Sequence, residues 1–129
     1  MKEITIYLLT AIVLIGVDLC MLSLLKNFFD SQIRSVQGTG IQLDFYAVMI
    51  CYLVLVTGLY YFIIKDNRPI IDAFFLGFFT NMVYETTNKS LLSKWRWETV
   101  VVDGMWGGIL MAVTATLVYT IEGKKWHIR

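Results

Sequence analysis

Three acidic residues interrupt segments of the chain that are otherwise apolar, and they are the residues best placed to do chemistry. Asp18, Glu85 and Asp103 lie in the first, third and fourth of four apolar segments. An ionisable side chain that faces lipid costs at least about 2.5 kcal/mol, so such groups turn inward and pair, take up a proton or contact water. Sharing a proton or binding a cation also relieves the repulsion between neighbouring carboxylates. We therefore predict a proton- or cation-binding site.

The positions of these acids predict that they share one level in the membrane. Asp18 and Glu85 each lie about seven residues before the end of a segment, and Asp103 lies a few residues after the start of another. Neighbouring segments joined by short loops run antiparallel. At 1.5 Å per residue, all three carboxylates fall about 6 to 11 Å below the same membrane face.

Further polar residues accompany Glu85 on its own segment. Lys89 follows Glu85 at i+4 and Asn88 follows it at i+3, so they lie on one face of a helix. We predict Asn88 as a fourth ligand. The predicted supporting residues are Asn81, Tyr84, Thr87, Lys89 and Trp106. A simpler alternative is a Glu85–Lys89 ion pair at a helix end, with the lysine reaching the interface.

The fourth segment carries small residues beside Asp103. Gly104, Gly108 and Ala112 recur every four residues, and Gly107 flanks them. Small residues at this spacing permit close approach of another helix. The stripe is predicted to carry Asp103 into the packed interior.

The composition indicates the elements that position these residues. Of the 129 residues, 57% are hydrophobic and 16% are charged, and the mean hydropathy is +0.65. These values are typical of membrane proteins, and a net charge of +1 excludes a nucleic-acid-binding surface. About 20 apolar residues span a bilayer as a helix. The predicted spans are about 4–25, 45–64, 70–92 and 99–121, with a loop over 26–44.

These spans predict an all-α fold, an integral membrane four-helix up-down bundle that forms one domain over residues 1–129. The face that holds both termini carries six basic residues and the opposite face five. The positive-inside rule then places both termini in the cytoplasm. The lipid bilayer is the expected partner, and the sequence assigns no metal site or cofactor.

The motifs around the acids resemble a known pattern. Their residues are Asp18 in the first segment, Tyr84, Glu85, Thr87 and Asn88 in the third, and Asp103, Trp106 and Gly107 in the fourth. The sequence resembles the membrane-protein family named domain of unknown function 2177, whose members carry an aspartate, a Tyr-Asp-x-Thr-Asn type segment and an Asp-x-x-Trp-Gly segment. Here Glu85 replaces an aspartate, and Met21 stands where a tryptophan is common. The resemblance covers nearly the whole chain and implies a small four-helix protein, without an activity.

Three hypotheses for the function follow. The first is a small proton- or cation-linked transporter or channel, which would need a homo-oligomer because four short helices leave little room for a pore. The second is an assembly protein whose polar layer fixes helix register and whose stripe of small residues forms an interface. The third is a membrane enzyme that acts on a lipid, with the carboxylates holding a divalent metal or serving as acid and base.

Overall fold

The computed structural model describes residues 1–129, and all of its regular structure is helical. The helices are α1 (Glu3–Leu24), α2 (Lys26–Gln37), α3 (Phe45–Leu59), α4 (Ile70–Leu91) and α5 (Trp97–Glu122). α3 continues without interruption into a π-helical turn, Tyr60–Ile64. The prediction of an all-α protein is confirmed.

Local sequence sets where several helices begin and end. The Asp44 carboxylate accepts the N–H groups of Tyr46 and Ala47, at 3.1 and 3.3 Å, and so caps the start of α3. Gly38 and Gly123 take left-handed backbone conformations, with φ of +79° and +77°, directly after α2 and α5. Glycine adopts this conformation without a steric penalty, so both helices stop there.

Three helices are long and apolar enough to cross a membrane. They are α1, α3 with its π-helical turn, and α5, whose most apolar windows have mean hydropathies of 2.3, 2.3 and 1.6. α4 has 22 residues, which is also long enough, but its polar residues keep it out of this group. Three of the four predicted spans therefore agree with the structure, and the fourth stays a prediction.

The segment after α1 corrects one expectation. The sequence predicts a loop over residues 26–44, but Lys26–Gln37 form α2. The helix is amphipathic: Phe29, Gln32, Ile33 and Val36 follow the i, i+3, i+4, i+7 spacing of a single face. A search for spans overlooks such a helix because it is too short and too polar to cross a membrane.

The helices pack around α5. α4 and α5 form the most extensive pair, α1 packs against α5, and α3 packs against α1. α3 and α4 make no extensive contact with each other. The arrangement is therefore open on one side, between α3 and α4.

The C-terminal tail binds the start of α4. The N–H groups of Ile70 and Ile71 donate to the carbonyls of His127 and Ile128, at 3.0 and 2.7 Å. These N–H groups begin α4 and have no acceptor within the helix. The buried Tyr119 hydroxyl donates to carbonyls of the α3–α4 connection nearby. The tail and α5 thus hold the start of α4.

Candidate functional site

The three acids lie at the same distance from the helix ends. Asp18 and Glu85 each precede the last residue of their helix by six positions, and Asp103 follows the first residue of α5 by six. A rise of 1.5 Å per residue places each of them about 9 Å from that end. These three helix ends meet on one face of the molecule, where α2 and the α4–α5 connection lie.

Asp18 is held by two aromatic side chains from other helices. The Tyr52 hydroxyl of α3 donates to Oδ2 at 2.6 Å, and the Trp106 indole N–H of α5 donates to Oδ1 at 2.9 Å. Hydrogen bonds to a carboxylate are shorter and stronger than those between neutral groups. Asp18 therefore links α1 with α3 and α5.

Glu85 is the most enclosed of the three acids. Only 2% of its surface is exposed. Its Oε1 accepts the indole N–H of Trp95 at 2.7 Å, and Glu85 lines one cavity together with Asp103. Two neighbouring carboxyl groups without a basic partner disfavour ionisation of both.

Asp103 differs from the other two acids because no N–H group and no Ser, Thr or Tyr hydroxyl donates a hydrogen bond to its carboxylate. Its backbone carbonyl accepts the Asn81 amide at 3.0 Å, which fixes the level of α5 against α4. Its side chain lines two cavities, one shared with Asp18 and one shared with Glu85. Asp103 therefore connects the two other acids.

The first cavity, here called the lateral cavity, has a volume of about 500 Å³. It lies where α3 and α4 do not pack together. Its lining residues are Asp18, Leu22, Cys51, Val54, Leu55, Thr80, Asn81, Tyr84, Asp103, Trp106, Gly107, Leu110 and Met111. No lysine or arginine is among them, so two carboxyl groups face a mostly apolar space without a basic partner.

The second cavity, here called the end cavity, has a volume of about 260 Å³ and lies beneath α2. Its lining residues are Leu22, Phe29, Gln32, Ile33, Ile41, Tyr84, Glu85, Trp95 and Asp103. The floor is the Glu85–Asp103 pair, and α2 with Ile41 supplies much of the opposite wall. Again no basic residue faces the carboxylates.

Close packing of α4 on α5 holds Asp103 in place. A Cβ atom on Gly107 would overlap the backbone carbonyl of Gly77 and lie 2.5 Å from the Asn81 side chain. Cβ atoms on Gly104 and Gly108 would overlap Met82 and Phe74 of α4 in the same way. These glycines thus face α4 within the same chain.

Buried Gln32 fastens α2 above the end cavity. Its Oε1 accepts the Thr99 hydroxyl at 2.6 Å and the Arg96 backbone N–H at 2.9 Å, and its Nε2 donates to the Lys94 carbonyl at 3.1 Å. None of its surface is exposed. The Arg96 guanidinium also lies over the Phe28 ring, 5.7 Å from its centre.

The structure brings some of the sequence-predicted residues together and leaves others apart. Asn81, Tyr84 and Trp106 line the cavities with the acids. Asn88, Thr87 and Lys89 line neither of these two cavities. Lys89 makes no ion pair with Glu85, and its ammonium lies 5.4 Å from the centre of the Trp97 ring. Ala112 is half-buried and packs against the apolar core.

Sequence reasoning missed the partners of the acids. Tyr52 and Trp95 are not among the predicted site residues, yet each donates a hydrogen bond to a carboxylate. Gln32 lies in the segment predicted as a loop. Gln32 could have been found from its position on the apolar face of an amphipathic helix, because a buried amide there needs hydrogen-bond partners.

A metal held by the carboxylates is part of the enzyme hypothesis. Nowhere in the chain do three His, Cys, Asp or Glu side chains stand close enough together to hold one metal ion.

Asp30, on the exposed face of α2, gives a pH-dependent prediction. Its hydrogen bond from Arg34, at 2.7 Å, and that from the Ile41 N–H, at 3.0 Å, hold the pKa of the carboxyl below its ordinary value of 3.8. A lowered pKa stabilises the fold above pH 3.8, and this contribution is lost as the pH falls through the folded-state pKa. We expect the protection of the Ile41 amide, relative to its intrinsic exchange rate, to fall over that range, with carboxyl NMR giving the pKa. In Asp30→Asn the pH dependence should vanish, whereas a pKa at or above 3.8 would contradict the assignment.

The fold and site define a helical membrane protein in which acidic residues line two cavities between its helices. A family described as predicted membrane protein (DUF2177) matches residues 3–120, and the chain belongs to it. The resemblance drawn from the motifs is therefore confirmed. No curated protein and no solved structure matches the chain.

Proposed function

We propose that this protein is a small proton- or cation-linked transporter or channel in which Asp18, Glu85 and Asp103 bind the transported charge. The observation that carries the proposal is the position of Asp103. Asp103 lines both cavities, one together with Glu85 and the other together with Asp18. Carboxylates within membrane proteins are the usual components of proton relays and cation sites.

The hydrogen-bonding pattern favours a proton as the bound species. Asp18 and Glu85 accept indole or phenol donors, while no N–H or hydroxyl group donates to the Asp103 carboxylate. Glu85 and Asp103 line one cavity that has no basic residue, and neighbouring carboxyl groups disfavour ionisation of both, so the pair would hold one proton. Exchange of that proton with either cavity would move charge along the cluster.

We further propose that α4 is the fourth span of an up-down bundle with both termini in the cytoplasm. α4 covers one side of α5 along its length and places Glu85 at the level of Asp103. Its polar residues Asn81 and Glu85 are satisfied within the chain, because Asn81 donates to the Asp103 carbonyl and Glu85 is 2% exposed and accepts from Trp95. Because so small a bundle leaves little room for a pore, transport would require a homo-oligomer. The Gly104–Gly108 stripe is already covered by α4, so other surfaces would form it.

Proton flux into proteoliposomes tests the proposal. A pH-sensitive dye inside the vesicles reports the flux that an imposed gradient drives, with sodium and potassium gradients run in parallel. Asp103→Asn should lower the flux at least about 100-fold, the lower end of what a positioned proton-transfer group contributes. Glu98→Gln, an exposed acid in the first turn of α5, is the matched control and should leave the flux unchanged. No flux of any ion in the parent, or equal flux in Asp103→Asn, would contradict the proposal.

A second candidate is an assembly protein in which the same polar layer only sets helix register. The observation in its favour is that Asp18 joins three helices through Tyr52 and Trp106. Polar groups inside a bundle can specify register without chemistry. Loss of folding in Asp18→Asn, together with no ion flux in the parent, would favour this candidate over transport.

A further inference from the structure

We propose that α2 is a lid over the Glu85–Asp103 pair, that Gln32 is the latch that keeps it closed, and that opening this lid admits water to the carboxylates. The proposal concerns the site of the proposed function and deepens it by naming how the site is regulated. It rests on the end cavity and on the way in which α2 is attached.

α2 stands between the acid pair and the outside of the membrane face. Phe29, Gln32 and Ile33 form one wall of the end cavity, and Glu85 and Asp103 lie across from them. The opposite face of α2 carries Asn27, Ser31 and Arg34, which are all exposed, as suits contact with water. Displacing α2 would therefore expose the pair directly to the aqueous side.

The attachment of α2 to the rest of the molecule is narrow. α2 makes few contacts with α1 and no extensive contact with the other helices. Gln32 provides the buried polar attachment, with bonds to the α4–α5 connection at Lys94 and Arg96 and to Thr99 of α5. A 12-residue helix held in this way can leave as a unit, because short helices are marginal once their tertiary contacts are lost.

The two cavities give the acids two different surroundings. The lateral cavity lies between α3 and α4 and is mostly apolar, whereas Glu85 lines the end cavity with α2 and is only 2% exposed. A reagent soluble in lipid should reach Asp103 through the lateral cavity, and a reagent soluble in water should reach Glu85 only when α2 moves. This difference separates opening of the lid from loss of the whole fold.

Carbodiimide modification of Glu85 and Asp103, located by mass spectrometry, tests the proposal in full-length protein in vesicles. In Gln32→Ala the water-soluble reagent should modify the pair at least about tenfold faster, because a buried hydrogen bond to the latch is lost. The lipid-soluble reagent should react at nearly the parental rate. Gln37→Ala is the matched control: it lies on the same helix, and its amide bonds only to the nearby Thr39 and Gly40 carbonyls.

Three outcomes would overturn the lid. They are an unchanged rate with the water-soluble reagent in Gln32→Ala, an equal acceleration in Gln37→Ala, and an equal acceleration with both reagents. The modification rate can be measured whether or not the protein transports ions. Faster modification in Gln32→Ala together with no ion flux in the parent would leave the lid standing and reject the transport function. Normal ion flux in the parent, with no change in the modification rate in Gln32→Ala, would reject the lid and leave the transport function standing.

Discussion

Gly107→Ala is expected to destabilise the protein by about 1 to 3 kcal/mol or more, because the added methyl group has no space to enter. Its Cβ would overlap the Gly77 carbonyl, which is backbone and cannot rotate away. It would also displace Asn81, whose amide bonds to the Asp103 carbonyl at 3.0 Å. α4 and α5 would have to separate, and the Glu85–Asp103 contact would lengthen with them.

Gly58→Ala is the matched control for this change. Gly58 lies within α3, and nothing stands within 4 Å of a Cβ built on it. Alanine is favoured over glycine within a helix by about 1 kcal/mol, so this variant should be neutral or more stable. Unfolding in mixed detergent micelles, followed by circular dichroism, measures both variants. Equal stability of Gly107→Ala and Gly58→Ala would show that α4 and α5 do not pack as described.

Glu85→Leu and Glu85→Gln are expected to separate the structural role of Glu85 from its chemistry. Leucine leaves the Trp95 indole N–H buried without an acceptor, which costs about 1 to 3 kcal/mol. Glutamine keeps an oxygen for Trp95 and should cost less than about 1 kcal/mol. Neither side chain takes up a proton, so both variants should lose the proposed proton flux.

The same micelle unfolding experiment, combined with the vesicle assay, checks this pair of variants. A Glu85→Gln variant that folds normally and still carries protons at the parental rate would remove Glu85 from the proposed relay. Equal stability of the two variants would mean that the Trp95 bond contributes little.

The sequence was sufficient to predict the helices that are apolar along their whole length. α1, α3 and α5 could be predicted because an unbroken run of about 20 mostly apolar residues is typical of a membrane-spanning helix. α2 was missed because its signal is the spacing of Phe29, Gln32 and Ile33 rather than its overall hydropathy. α4 is intermediate between these helices and α2. It is long enough to span a membrane, but the polar residues that face α5 lower its mean hydropathy.

The level of the acids could be predicted from the sequence, but their partners could not. Depth follows from counting residues along each helix, which is why the prediction places Asp18, Glu85 and Asp103 together. The rotation of each helix about its axis decides which side chains meet. A helix that is apolar on every side gives little indication of that rotation. For this reason Tyr52 is not among the predicted site residues, although it donates to Asp18.

The i, i+4 spacing of Glu85 and Lys89 shows a further limit of local reasoning. Such a spacing favours an ion pair on an isolated helix. In the folded protein Glu85 turns toward Trp95 and Asp103, and Lys89 lies over Trp97. The tertiary partner of Glu85 comes from the α4–α5 connection, so the spacing within α4 contained no information about it.

Infrared spectroscopy of the protein in lipid at neutral pH tests the central claim most directly, because a protonated carboxyl group has a C=O stretch that a carboxylate lacks. If Glu85 and Asp103 hold one proton between them, the parent shows this band, and Glu85→Gln and Asp103→Asn each lose it while Glu98→Gln keeps it. A parent without the band, or a band that survives in both Glu85→Gln and Asp103→Asn, would contradict the shared proton.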